Sequence, residues 1–413
     1  MSQHIDNNQY TPFYYTKKRF LKNYPAVFGL IVILFVVLIA LLGYSIMPDS
    51  TPNANDGAVQ IQKKLPGFSV KVLKLKKNIE TEKVSFFEKI LYGEESEYTI
   101  IPINSYEIKG TDVTYIPYDG RDYKETSPIL PLVYSVFIGK SSNTLVDSLT
   151  NYKISGNQVL YLDLKGNLQK TTVEEMLKLF KKNNIEKRRY WLGTDKSGRD
   201  ILSKLLFGAR ISLGIGFISV LISMLLGIVL GSLAGFFGGM IDNIIMWLIT
   251  VVWSVPGIML VIAISLALGK GLWVAFVAVG LTSWVEVARV VRGQILAIKE
   301  KTFVEAAKAL GMTDYRIIFV HILPNLYSSL IVIATSNFAS AILVEAGLSF
   351  LGLGVQPPMP SWGMMIHEGY KSMGLKNEWH LILFPSLAIS VLVLCFNLLG
   401  NGLRDATDPN HSK

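Results

Sequence analysis

ISLGIGFISVLISMLLGIVLGSLAGFFGGMI, residues 211–241, runs for 31 positions without an Asp, Glu, Lys or Arg. A helix needs about 20 mostly apolar residues to cross the hydrocarbon core of a bilayer. This run exceeds that length, and its apolar character is continuous, unlike the alternation of a half-buried strand. The pattern recurs on both sides. Asn243–Gly269 is 27 charge-free residues, and Gly271–Val285 is 15 that continue past Glu286 towards Ile298. Ile322–Val344 and Leu381–Leu403 are 23 each, and Ala26–Met47 is 22. Six spanning helices are expected, with Glu286, Arg289 and Arg292 at the aqueous end of the fourth. Pro256 and Pro385 remove helical donors and should kink their helices.

Composition agrees. Half of the 413 residues are hydrophobic and 17% are charged, against about 25% charged in an average soluble domain. A plain cytosolic enzyme is excluded, and so is disorder, which needs low hydrophobicity. A single cysteine, Cys395, excludes a disulfide framework and a multi-cysteine metal site. Charge is concentrated between Asp49 and Tyr190, which hold 39 of the 71 charged residues. That segment reads as an inserted α+β module. Phe68–Leu75 alternates in strand fashion, and Tyr98–Ile103 and Val113–Tyr118 are short β-branched and aromatic runs. Lys165-Gly166-Asn167 is a turn within Val159–Leu168, Thr172 to Glu175 matches a capping box, and Val173–Lys182 continues as helix. Ile129–Ile138, apolar but ten residues long, reads as a buried strand. The expected domains are 1–48, 49–190 and 191–413.

Lys and Arg near the span ends set orientation. With the N-terminus inside, 12 basic residues fall on inner segments, against Lys270, Lys371 and Lys376 on short outer loops. Both termini are then cytoplasmic and residues of about 49–205 extracytoplasmic. The net charge of +9 reports this topology and gives no reason to invoke nucleic acid. A signal peptide is the other reading of the first block, but its apolar core is longer than the roughly 7–15 residues of such a segment.

Several chemical motifs fail on inspection. Gly139-Lys140-Ser141 resembles the end of a phosphate-binding loop, but Tyr134 stands where the motif needs glycine. His367-Glu368 begins like a zinc-protease helix, but Lys371 replaces the second histidine. His4, His321, His367, His380 and His411 are scattered, so no metal site is expected. Cys395 reads as a packed small hydrophobe. No catalytic residues emerge. The spans lack the mid-membrane charges that ion-coupled carriers use. They are instead rich in glycine, and Gly227, Gly231 and Gly235 fall on one helical face. That stripe is either helix packing within one subunit, or a pore wall or partner surface. Between the fourth and fifth spans, at about 299–325, come Glu305-Ala306-Ala307, then Gly311, then His321-Ile322-Leu323-Pro324-Asn325. Helix, glycine stop, second helix and proline stop make a docking element with a slender alanine surface.

At these residues the chain resembles the permeases of ATP-binding-cassette (ABC) importers. Glu305-Ala306-Ala307-x3-Gly311-x9-His321-Ile-Leu-Pro-Asn325 looks like their EAA loop in the form of the dipeptide/oligopeptide/nickel branch. Leu192-Gly-Thr194-Asp195-Lys-Ser-Gly198-Arg199-Asp200 and Gly208-Ala-Arg-Ile-Ser-Leu213 resemble that branch's outer-face signature. Leu348–Gly354 with Pro358 to Trp362, Asn397–Asp405 with Asp408-Pro409, and Arg19–Asn23 fit as well, the last as in the C-type subunit. The likeness covers about 12–50 and 190–410.

The resemblance implies an all-α polytopic fold of six transmembrane helices in the bacterial inner membrane, with the α+β module inserted between helices 1 and 2. It implies a second, homologous permease, two cytoplasmic ATPases that use ATP and Mg, and an extracytoplasmic binding protein that delivers substrate, most naturally peptides. Glu305, Ala306, Ala307, Gly311, His321, Pro324 and Asn325 would couple to the ATPases, and the chain itself would bind no cofactor. Two departures stand out. Trp247 and Thr250 occupy positions where the family usually has Arg and Asp, and the insert is longer than the family's outer loop. Other readings are a membrane-anchored sensor or scaffold, a secondary carrier, or a permease for nickel chelates or another small solute.

Overall fold

A computed structural model describes residues 12–80, 84–139, 145–372 and 378–407. Lys140 and Ser141, His4, His411, Asp6, Lys376, Lys413 and the Asp408-Pro409 pair lie outside the described residues. The chain divides into two compact units. One is Leu42–Phe207 with Glu368–Leu383, and the other is Met1–Leu41, Gly208–His367 and Phe384–Lys413.

Helices α1 (Pro12–Lys22) and α2 (Tyr24–Leu42) meet at Asn23. The Asn23 side-chain oxygen accepts from the Ala26 amide at 3.2 Å. An Asn cap with Pro25 in the first turn is a composition that starts helices.

The mixed unit follows in chain order. It contains β1 (Phe68–Lys76), α3 (Phe86–Tyr92), β2 (Tyr98–Lys109), β3 (Asp112–Pro117), β4 (Glu125–Pro128) and α4 (Leu130–Val133). Then come β5 (Tyr152–Ser155), β6 (Gln158–Leu162), β7 (Leu168–Thr172), α5 (Val173–Leu179) and β8 (Ile185–Tyr190). One antiparallel sheet has the order β4-β3-β2-β1-β8, and a meander has the order β5-β6-β7. Strand β1, between β2 and β8, is covered on both faces. Val70 and Val72 pack with Ile61, Ile100 and Tyr190, while Leu73 packs with Ile103, Val113 and Phe180.

Two expectations are corrected here. Ile129–Ile138 is not a strand: Leu130–Val133 forms one helical turn with Pro131 in its first positions, where a missing amide does no harm. Its burial is as expected, with Ile129, Leu130, Leu132, Val133 and Val136 in the core. The capping box at Thr172 is half formed. The hydroxyl accepts from the Glu175 amide at 3.2 Å, but the Glu175 carboxylate takes the Thr171 hydroxyl instead.

The remaining helices are α6 (Ile201–Phe237), α7 (Gly239–Trp253), α8 (Gly257–Leu268), α9 (Leu272–Lys299), α10 (Thr302–Ala309) and α11 (Asp314–Arg316). A π-helical turn, Ile317–Ile322, then leads into α12 (Leu323–Phe350), followed by α13 (Trp362–Ser372) and α14 (His380–Thr407). Among the described residues five helices are long and apolar enough to cross a membrane: Tyr24–Ser45, Ile201–Phe237, Leu272–Lys299, Asp314–Phe350 and His380–Thr407. The third expected span is not one straight helix. It is the pair α7 and α8, bent by 89°, and the count reaches six only if that pair is one span. Pro256 caps α8 with a non-helical ψ of 126°, because it has no amide with which to continue α7.

Close approach between helices is made at glycines. A Cβ on Gly29 would stand 2.7 Å from the Cys395 carbonyl oxygen, and one on Gly402 would stand 2.1 Å from the Ala26 Cβ, so α2 and α14 meet with no room for side chains.

Candidate functional site

The 299–325 segment is anchored by one face and open on the other. Val304 and Ala307 of α10 are buried with Ile295 and Ile298 of α9 and with Ile317, Ile318 and Ile322 of the π-helical turn. Glu305, Ala306 and Ala309 face outward, and Leu310, a bulky apolar residue, is 77% exposed. Gly311 ends α10 with φ +73°. Its amide donates to the Lys308 carbonyl at 2.9 Å, and the Met312 amide donates to the Ala307 carbonyl at 3.2 Å. Those two bonds are the Schellman closure, whose C′ position favours glycine. Nothing would lie within 4 Å of a Cβ there, so the requirement is conformational. Further on, the expected proline stop does not occur. Pro324 lies in the first turn of α12, where a missing amide is tolerated, and the chain is helical from Asp314 to Phe350, with the Asn325 side-chain amide donating to the His321 carbonyl at 2.6 Å.

The Thr194–Asp200 signature forms a buried polar knot within the mixed unit. The Thr194 hydroxyl donates to the Ile61 carbonyl and accepts from the Lys64 amide at 2.8 Å. Asp195 accepts the Ser197 and Arg199 amides at 2.8 and 2.9 Å, the Arg199 Nε at 2.7 Å and the Lys204 Nζ at 2.9 Å. Lys204 reaches on to Glu368 at 2.8 Å, where Arg199 (3.4 Å) and Lys196 (3.1 Å) also converge. Asp200 caps α6, accepting the Ser203 amide and hydroxyl at 2.8 and 2.6 Å. At Gly198, φ is +76° and a Cβ would lie 1.9 Å from the Ala58 carbonyl oxygen.

Electrostatics follow from this packing. Burial would raise the pKa of Asp195 and Glu368. The Lys204 and Arg199 charges outweigh it and hold both carboxyls below their ordinary values. At Asp200 burial dominates and pushes the carboxyl up, despite its bonds from Ser203 and the Arg188 charge.

The Gly227, Gly231 and Gly235 stripe faces α9. Added Cβ atoms would stand 2.4 Å from the Val287 Cβ, 2.5 Å from the Ala288 carbonyl oxygen and 2.9 Å from the Arg292 carbonyl oxygen. The stripe is therefore filled by the chain's own helix. The charges of α9 pair with α7: Arg292 grips Asp242 through two bonds of 2.5 and 2.6 Å. The Arg289 guanidinium lies 3.3 Å from the Trp253 ring centroid, a cation–π arrangement. Trp247 is exposed, and the Thr250 hydroxyl turns back to the Met246 carbonyl at 2.8 Å.

Sequence reasoning missed Lys204, Glu368 and Glu345. Lys204 sits just inside α6, where charge reads as a span end. Glu368 lies far along the chain with no spacing signal. Glu345 falls immediately after the charge-free block of α12, is fully buried, and accepts from the Ser349 hydroxyl at 2.7 Å.

These elements define a polytopic helical membrane protein with an exposed two-helix loop between two of its spans. Residues 227–413 match the binding-protein-dependent transport system inner membrane component family, and residues 11–64 match the N-terminal transmembrane domain of oligopeptide transport permease C. The glutathione transport system permease protein GsiD of Pectobacterium atrosepticum is 48% identical over 53% of this chain and 72% of its own length. Its namesake in Salmonella typhimurium is 49% identical over 55% and 74%. An inward-facing structure of the MetNI methionine ABC transporter is 21% identical, with a TM-score of 0.41, over 49% of this chain and 96% of that one. The chain belongs to the oligopeptide/dipeptide family of ABC importer permeases, multi-pass proteins of the inner membrane.

Proposed function

We propose that this chain is the C-type permease subunit of an ATP-driven importer of small peptides. It forms half of the translocation pathway beside a second, related permease. Both termini and the 299–325 loop face the cytoplasm, and residues of about 49–205 face outward, towards a substrate-binding protein. The observation that carries the reading is the loop itself. Its inner face is locked into the helix core by Val304 and Ala307, while Glu305, Ala306 and Leu310 remain open to a partner. A surface so anchored transmits a push from a docked ATPase to α9 and α12 as a rigid lever. The peptide class rests on the family and on relatives named for glutathione, itself a small peptide.

Coexpression with candidate ATPases, followed by uptake and ATPase measurements in vesicles, tests this. Glu305→Arg and Gly311→Val should leave membrane insertion intact, abolish uptake and uncouple it from ATP hydrolysis. Normal uptake in both variants would refute the docking role. A competition series of dipeptides, glutathione and nickel chelates then reads the substrate class separately.

A further inference from the structure

We propose that α3 is an interfacial helix that lays Phe86, Phe87 and Tyr92 into the surface layer of the lipid bilayer, beside the end of the first span. Helix α3 reads FFEKILY, and none of its residues is buried. Phe86, Phe87 and Tyr92 are 65%, 75% and 73% exposed. A helix of seven residues does not hold itself together in water, and clustered exposed aromatics mark a contact surface.

The position of α3 identifies that surface. It packs on Gly43–Ser45, the final turn of the candidate span Tyr24–Ser45. The fit is tight. A Cβ on Gly93, which ends α3, would stand 2.8 Å from the Ser50 carbonyl oxygen and 3.0 Å from the buried Tyr44 ring. The Glu94 amide is bonded to that same Ser50 carbonyl at 3.0 Å. Thus α3 is fixed at the depth where the first span leaves the hydrocarbon. Aromatic rings are enriched at that depth because their apolar bodies and polar edges suit the interface. The charges of α3 are compatible: Lys89 pairs with Glu94 at 2.5 Å, and Glu88 accepts the Ser85 amide at 2.9 Å. Among the possible occupants, the bilayer is the one whose presence at this height the span itself guarantees.

Site-directed spin labelling tests the proposal. The full chain, carrying Cys395→Ala, takes a single label at Phe87→Cys or Tyr92→Cys and is reconstituted in phosphatidylethanolamine/phosphatidylglycerol vesicles. Collision with oxygen, which partitions into lipid, is compared with collision with a water-soluble nickel chelate. Labels at Phe35→Cys in α2 and at Leu149→Cys, 83% exposed in the mixed unit, mark the lipid and water limits. The expected oxygen-to-nickel ratio at positions 87 and 92 is several-fold above that at 149 and below that at 35. A ratio equal to that at 149 would overturn the proposal. So would suppression of both collisions at both positions, which would mean burial against a second copy of the chain. A water-like ratio at 35 would overturn the span on which the proposal rests.

Discussion

Gly198 and Gly311 share nearly the same backbone conformation, φ +76° and +73°, but a side chain would meet different surroundings. At Gly311 the space is open, so Gly311→Ala adds only the left-handed strain of about 1 kcal/mol and should insert and assemble normally. At Gly198 the added carbon would collide with the Ala58 carbonyl, so Gly198→Ala should sharply reduce the amount of folded protein recovered by size-exclusion chromatography. Around it, Glu368→Gln removes one anion from the Lys204–Asp195–Arg199 knot. Breaking a buried pair is worth on the order of 3 kcal/mol, and side chains at 3–9% exposure leave little solvent screening. The pH dependence has a definite sign. Glu368 is held below its ordinary value of 4.5, so its stabilisation is complete above that value and is lost as the pH falls through the folded-state pKa. Thermal unfolding should therefore show a gap between wild type and Glu368→Gln that is full near neutrality and closes in acid. Asp49 and Asp200, raised by burial, act with the opposite sign, but they do so equally in both proteins and cancel in the difference. Thr194–Asp200 could be picked out by sequence because the signature is contiguous. Lys204 and Glu368 could not, because their pairing exists only after α13 returns to the loop.

Along the elements, the glycines of α6 separate into two kinds that sequence does not distinguish. A Cβ on Gly231 would stand 2.5 Å from the α9 backbone, while Gly214 has nothing within 4 Å. Gly231→Ala should therefore lower the melting temperature in detergent, with overpacking worth roughly 1–3 kcal/mol. Gly214→Ala should raise it slightly, by about 0.5 kcal/mol, through loss of unfolded-chain entropy. If the two variants moved together, the close α6–α9 approach would be wrong. The long spans are legible because a charge-free apolar run of about 20 residues or more suits a membrane crossing and little else. The break between α7 and α8 is legible as a position, Pro256, but not as an 89° bend, since the angle depends on what packs around it. The Ile129–Ile138 run misleads because a short buried apolar segment satisfies strand and helix equally. Pro131 is the residue that separates the two. The α10 half of the loop is readable, because its alanines and its glycine at positive φ act locally. The expected stop at Pro324 is not met, since Asp314–Phe350 continues as helix through it by way of the π-helical turn.

At the scale of the whole chain, the topology proposed above puts the mixed module on the outer side, and the question is whether it serves delivery of substrate or only solubility. The larger of its two core clusters joins both sheets and α5 through Leu73, Ile103, Val159, Met176 and Phe180. No sub-piece can therefore be removed cleanly, and the experiment must take out the block Leu65–Lys187 with a short Gly-Ser bridge, which also uncovers Ile61 and Tyr190 of the smaller cluster. The ends suit such a cut. Lys64 is tied to Thr194 by its amide and carbonyl at 2.8 and 3.0 Å, and Arg188 is tied to Asp56 at 2.8 Å. Both contacts lie outside the excised residues. The signature knot should therefore persist, and the shortened chain should still insert and, with the 299–325 loop as the proposed docking element, still bind the ATPases. If the module shapes docking of the binding protein, titration of that protein on reconstituted complexes should show weakened affinity. Uptake at low binding-protein concentration should then fall, and uptake at saturation should recover. Unchanged affinity and unchanged uptake at every concentration would remove the module from delivery altogether. Loss of insertion would instead mean that β1 and β8, which pair through Phe68 and Tyr190, are needed to hold the knot in place. Melting of the purified shortened chain would reveal that independently of transport.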